Sequence, residues 1–212
     1  DAKDSVGGKL AKGSVTYRIY VNLKQGYKLQ TIFGSETHPL FFETTTSFFN
    51  DTILGVKTGD KFIINNINSH NAALDSWISI GAVSKFYNGV LKTEDSDSSI
   101  IHSKKALKKN DGLKYGDIYA TTYFNLDLSV FANAKTPKRF YTNNGAWANF
   151  AWAEGITSQN CILIAQLTTD GILSFELNLQ VGTPTGNSIQ FVAKNPINEE
   201  VENQSLIYNL NL

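Results

Sequence analysis

"CILIAQLTTDGILSFELNLQV", residues 161–181, is the stretch on which the reading of the chain turns. Its second half alternates. Leu173, Phe175, Leu177, Leu179 and Val181 fall on one face, and Ser174, Glu176, Asn178 and Gln180 on the other. A period of two is that of a half-buried strand, because successive side chains leave opposite faces. The first half is an apolar run of strand length. Between them, Asp170-Gly171 accepts the positive φ angles of a tight primed turn, so the stretch predicts a hairpin.

The same period recurs in "VTYRIYVNL" (15–23), with Val15, Tyr17, Ile19, Val21 and Leu23 on one face. Further strands are predicted at 28–33, 40–46, 61–65, 76–81, 118–124, 188–193 and 206–210, where β-branched and aromatic residues concentrate between turn signals such as "KQGY", "KTGD", "NNG" and "PTGN". Helix signals are sparse. Residues 99–109 form the best candidate, with Ser99 as cap and Asn110-Asp111-Gly112 as stop, and 127–133 reads as one helical turn. The expected fold is all-β: an antiparallel two-sheet sandwich, jelly-roll-like, with long loops and at most one or two short helices. Residues 1–14 read as a flexible linker or tail, and 15–212 as one domain. The chain does not start with Met, which suggests a processed or excerpted piece of a larger protein, so neighbouring domains are expected partners.

Composition removes several classes. Of 212 residues, 19 are Lys or Arg and 19 are Asp or Glu, giving a net charge of +0. Nucleic-acid binding relies on surplus positive charge, so no nucleic-acid partner is expected. No apolar run reaches the ~20 residues of a membrane span, so membrane insertion is not expected. The single cysteine, Cys161, excludes an internal disulfide and reads as a buried small hydrophobe. His38, His70 and His102 stand apart with no metal-ligand spacing. Nucleophile-elbow and zinc-hydrolase motifs are missing from the sequence. Glu43 with Glu176 is one nameable carboxylate pair, and hydrolysis would require a cleft between them.

Three constellations remain. Glu94, Asp95 and Asp97 in "LKTEDSDSSI" (91–100) are hard oxygen donors at close spacing and form the candidate metal site, for Ca²⁺. The competing reading is a solvated acidic loop, which is the more common fate of such a run. In "ALDSWISIG" (73–81), Trp77 shares a strand face with Asp75 and Ser79, which points this ring at a polar groove. In "NNGAWANFAW" (143–152), a strand would put Trp147, Asn149 and Ala151 on one face and Phe150 and Trp152 on the other. A helix would set the two indoles about 140° apart. Neither geometry makes a twin-ring platform. Trp147, beside Asn143 and Asn144, is taken as the ligand-facing ring, and Trp152 with Phe150 as core. Aromatic rings stack on sugar faces and Asn amides both donate to and accept from hydroxyls, so the candidate ligand residues are Trp147, Asn143, Asn144, Trp77 and Asp75.

Five segments occur in a familiar order: Arg18–Asn22 (R-x-Y-x-N), Gly34–Leu40 (G-x-x-x-x-P-L), Asp75–Gly81 (D-S-W-x-x-x-G), Asn144–Trp147 (N-G-A-W) and Leu163–Thr168 (L-I-A-Q-L-T). In this the chain resembles, over about residues 15–193, a β-rich module of large secreted proteins of marine and gliding bacteria, especially Bacteroidetes. The resemblance implies export, by type IX secretion, and a secreted or bacterial cell-surface location. It brings no settled activity with it. The expected function is a non-catalytic extracellular module that binds polysaccharide or a cell-surface glycan, within an adhesin or a polysaccharide-active protein. The alternatives are a structural spacer, stabilised by Ca²⁺, and, third, a glycan-active hydrolase domain.

Overall fold

The computed structural model describes residues 7–67, 69, 71–96, 111–132 and 138–209. The expected helix at 99–109, together with Asp97, His70 and His102, lies outside the described residues.

The strands in chain order begin with β1 (Val15–Asn22), β2 (Lys28–Gly34) and β3 (Leu40–Thr44). Short ones follow: β4 (Trp77–Ile78), β5 (Ala82–Ser84), β6 (Tyr87–Gly89), β7 (Leu113–Tyr115) and β8 (Thr122–Phe124). The second half supplies β9 (Arg139–Thr142), β10 (Gly145–Ala153), β11 (Cys161–Thr169) and β12 (Leu173–Glu176). The last are β13 (Leu179–Gly182), β14 (Ser188–Val192), β15 (Val201–Glu202) and β16 (Ile207–Asn209). They form a six-stranded sheet, β15-β14-β13-β2-β10-β8, a four-stranded sheet, β16-β12-β3-β9, and two three-stranded sheets, β1-β11-β4 and β5-β6-β7. Among the described residues, every pairing between these strands is antiparallel except β14 with β15, and Thr58 makes an isolated parallel bridge to Ile78. The fold is all-β and sandwich-like, built from several sheets, with no helix of seven or more residues among the described residues.

The core explains the pattern. β11 is buried along its whole length. Ile162 and Ile164 face a large cluster that also takes Leu29 and Ile32 from β2, Phe42 from β3 and Leu179 from β13. Leu163 faces a second cluster with Phe62, Trp77, Val83 and Leu113. A strand covered on both sides has to be apolar on both sides, which is why "CILIAQL" does not alternate. Its polar member, Gln166, is only 2% exposed and is fully bonded. Its Oε1 accepts from Arg18 Nε of β1 at 3.0 Å, and its Nε2 donates to the carbonyls of Ala73 and Asp75 at 3.1 and 2.8 Å.

Three local expectations are corrected. Residues 61–65 are not a strand. They run from the end of one short 3-10 turn, Gly59–Lys61, through Phe62 and Ile63 into a second, Ile64–Asn66. "ILSFELNLQV" is not one strand, since β12 joins the four-stranded sheet and β13 the six-stranded one. Asn178, between them, is the staple: its Nδ2 donates to the carbonyls of Phe33 and His38 at 3.2 and 2.9 Å, and its Oδ1 accepts from Ala193 N–H at 3.3 Å. Asp170-Gly171 makes no hairpin either, because β11 and β12 belong to different sheets. Gly171 is needed for space, since a Cβ there would sit 2.5 Å from Thr46 Oγ1 and 2.6 Å from Thr44 Oγ1. Of the expected linker 1–14, residues 1–6 lie outside the described residues, and within it Gly7 is buried and its carbonyl accepts Thr52 N–H at 2.6 Å. The helical turn near 127–133 is present as a 3-10 turn, Leu128–Phe131, capped by Asp127.

Replacing Gln166 by Leu removes both ends of this bridge and leaves a guanidinium N–H and two carbonyls short of a partner. The expected loss is about 3 kcal/mol, read as a lower urea midpoint with an unchanged m-value.

Candidate functional site

The site is built on the outer face of the six-stranded sheet. In the β13–β14 hairpin the cross-strand pairs Leu179–Phe191 and Val181–Ile189 point inward, so Gln180–Gln190 and Gly182–Ser188 point outward. Gln30, on the adjoining β2, joins them. Its Oε1 accepts from Gln180 Nε2 and from Ser188 Oγ, both at 2.9 Å, and Gln180 Oε1 accepts from Gln190 Nε2 at 3.3 Å. The result is a linked row of amides across three strands.

Beside this row, β10 bulges. Ala148 pairs with Thr31 and Ala153 with Leu29, so Asn149 to Trp152 lie opposite Gln30 alone. Asn149 pins the bulge through Nδ2 to the Ala120 carbonyl at 2.8 Å. Trp152 takes a left-handed backbone, φ 61. For a bulky residue this is a strained conformation, costing about 1–3 kcal/mol, and such strain collects at functional positions. Its indole lies over Gly182, where a Cβ would come within 2.8 Å of the ring. The ring is thus seated on the amide row and remains partly open to solvent. On the same bulge, Phe150 is 73% exposed and stacks edge-on against Phe124 of β8, 42% exposed, with ring centroids 6.1 Å apart. Lys28 on β2 and Glu154 just after β10 are of opposite sign and 3.9 Å apart. This face is aromatic, amide-rich and close to neutral. It can stack on a flat apolar ring surface while offering paired donors and acceptors.

The residues singled out in the sequence fall elsewhere. Trp147 is fully buried, its Nε1 donating to the Ser79 carbonyl at 3.0 Å and its ring edge-on to Phe140, so it cannot face a ligand. The assignment of Phe150 and Trp152 to the core is reversed as well. Trp77, 3% exposed, belongs to the second apolar cluster beneath β11 and lies against Gly59. Both faces of β4 are covered, so its polar-groove reading fails. Asn143 and Asn144 are exposed at the β9–β10 turn. That turn adjoins Gly34, whereas Trp152 lies near Leu29. Five residues of strand separate them, about 16 Å.

Asp75 is a structural anchor. It is 0% exposed and accepts from the N–H groups of Asp51 at 2.8 Å and Val56 at 2.6 Å. Burial pushes its pKa up to about 7, against the pull of those two N–H donors. Glu94 and Asp95 do not converge. Glu94 accepts from Thr157 Oγ1 at 2.6 Å and Gln159 N–H at 3.2 Å, while Asp95 accepts from Gly112 N–H at 2.8 Å. Neighbours at the end of a short turn, they anchor different loops, and no group of three metal-ligating side chains gathers among the described residues. Burial, then the hydrogen bond that protonated Asp111 shares with Asp95, raises Asp111 to about 6. Glu43 and Glu176 each meet a cation, Arg139 at 3.8 Å and Lys194 at 2.8 Å. Cys161 is a buried free thiol.

No protein family, no curated protein and no solved structure matches this chain.

Two outcomes follow from this geometry. Acrylamide should quench one accessible indole, and Trp152→Phe should abolish that component while leaving the shielded emission of Trp77 and Trp147. The second concerns pH. From the ordinary carboxyl value of 3.8 up to about 7, folded Asp75 keeps a proton that the unfolded chain releases. Stability therefore falls as pH rises through that window and levels off above it. Asp111 acts in the same direction, so the diagnostic quantity is the difference between proteins. Melting curves of Asp75→Asn should show a lower melting temperature and a flatter dependence on pH than wild type.

Proposed function

We propose that this chain is a non-catalytic carbohydrate-binding module of an exported, cell-surface protein. It grips a neutral polysaccharide or cell-surface glycan on the outer face of the six-stranded sheet. The observation that carries the reading is Trp152: an indole held in a left-handed backbone and seated on Gly182, beside the Gln30–Gln180–Gln190 row. Its open ring surface suits the C–H face of a pyranose. The amides offer donors and acceptors together, as vicinal hydroxyls require. Phe150 and Phe124 extend the apolar strip toward β8, which suits a chain of several sugar residues over a single one. The near balance of charge favours a neutral ligand over a sulfated or uronic one. The exported location rests on the resemblance to the modules of gliding and marine bacteria.

The test is calorimetry and affinity electrophoresis against a panel of soluble β-glucans, mannans, xylans and galactans. Trp152→Ala is expected to weaken binding about a hundredfold, and Gln180→Ala about tenfold, both with unchanged melting. Gly182→Ala, which lifts the ring, should fall between them. Saturable binding to no member of the panel, or full affinity in Trp152→Ala, overturns the reading.

A further inference from the structure

The inner side of the same hairpin carries a second feature. Where the outer face of β13–β14 is a row of amides, its inner pairs Leu179–Phe191 and Val181–Ile189 form one wall of a cavity of about 530 Å³. Val21 and Leu23, at the end of β1, form the opposite wall. β1 is the edge of its own sheet, and β14 lies near the edge of the six-stranded one, so the sandwich opens along this side. Protein interiors leave few voids larger than a water molecule. A cavity of this size instead falls in the range of small-ligand pockets, about 300–1,000 Å³.

We propose that this cavity binds a small amphipathic anion, an aliphatic carboxylate of medium chain length. The lining is dominated by branched aliphatic side chains reaching down to the core residues Ile164 and Leu177. A hydrocarbon chain loses nothing there. A sugar would leave its hydroxyls unpaired at a cost of about 1–3 kcal/mol each. The more open part of the lining is polar, with Tyr27, Asn203 and Ser205, and among the described residues its one charged member is Lys24. Lys24 is exposed, and among the described residues no carboxylate lines the cavity. An ammonium at the rim of a low-dielectric slot selects a negative head group over a neutral or positive one. This site lies on the opposite side of the sheet from Trp152, so the two bind independently.

The experiment is a titration of the full chain with decanoate, decanol and decyltrimethylammonium below their micellar concentrations, followed by calorimetry and by methyl chemical shifts. Decanoate is expected to saturate one site, shifting Leu, Ile and Val methyl resonances. Ile189→Trp, which fills the cavity from a half-exposed position on β14, should weaken decanoate at least about tenfold, with folding confirmed by circular dichroism. Lys24→Gln, a surface change, should weaken decanoate about fivefold and leave decanol unaltered. Trp152→Ala should leave decanoate binding unchanged, which separates this site from the glycan face. The proposal is overturned if decanoate shows no saturable binding, if decyltrimethylammonium binds as tightly as decanoate, or if folded Ile189→Trp binds like wild type.

Discussion

A buried amide holds this molecule in register. β11 is covered on both sides, so any polar group on it has to find all its partners inside the protein. Gln166 does. It takes the Arg18 guanidinium with one end and gives its two N–H groups to the carbonyls of Ala73 and Asp75 with the other. The Asp75 carboxylate passes the connection on to the backbone of Asp51 and Val56. A continuous polar path thus runs from the edge strand β1, through the most buried strand, to the loop below β4. Sliding β11 by one residue would turn Gln166 into one apolar cluster and break its bonds to Arg18, Ala73 and Asp75. The same strand supplies Ile162 and Ile164 to the larger cluster and Leu163 to the smaller, so its register fixes both.

The crossing between sheets follows similar logic. The chain leaves the four-stranded sheet after Glu176 and enters the six-stranded sheet at Leu179. Apolar alternation continues through this switch, because both halves face the same core. Asn178 bears the cost of the change, supplying the carbonyls of Phe33 and His38 with N–H donors as the ladder shifts. One consequence reaches the surface. Once Leu179 and Val181 are fixed inward, Gln180 and Gly182 have to face out, and the seat for Trp152 is set by the core on the other side of the strand.

What was legible in the sequence was periodicity; what was not was the sheet each strand would join. Alternation marked β1 and the stretch that holds β12 and β13, β-branched and aromatic content marked β2, β3 and β14, and an apolar run of strand length marked β11. It could not split "ILSFELNLQV", nor deny a hairpin at Asp170-Gly171, since both depend on contacts far away in the chain. "KFIIN" (61–65) misled because an apolar run as short as Phe62-Ile63-Ile64 suits a pair of 3-10 turns as well as a strand. The parity of "NNGAWANFAW" was sound in separating Trp147 from Phe150 and Trp152. Alternation divides two faces but does not label which is inside. Here the indole able to donate to the Ser79 carbonyl took the core, and the bulge opposite Gln30 sent Trp152 to the surface. No short-range signal in the chain marks that bulge. Three of its residues are small or aromatic and would be at home in a regular strand.

A division of labour emerges when the segments behind the resemblance to bacterial surface modules are set on the fold. Arg18 and Gln166 belong to the buried bridge, Asp75 anchors a loop, and Trp147 fills the core. Gly34 lies where a side chain would strike the Thr142 carbonyl. These residues hold the frame. The groups proposed to meet a glycan, Trp152, Phe150, Gln180 and Gln190, lie outside all five segments, on a bulge and a hairpin whose outer positions the core leaves free. A frame secured by one set of residues and a binding face assembled from another can keep its architecture while the face changes. Modules sharing the five segments should therefore share the Gln166 bridge and the two-sided burial of β11. Under the proposed glycan reading, their ligands would be decided at the positions corresponding to Trp152 and the amide row.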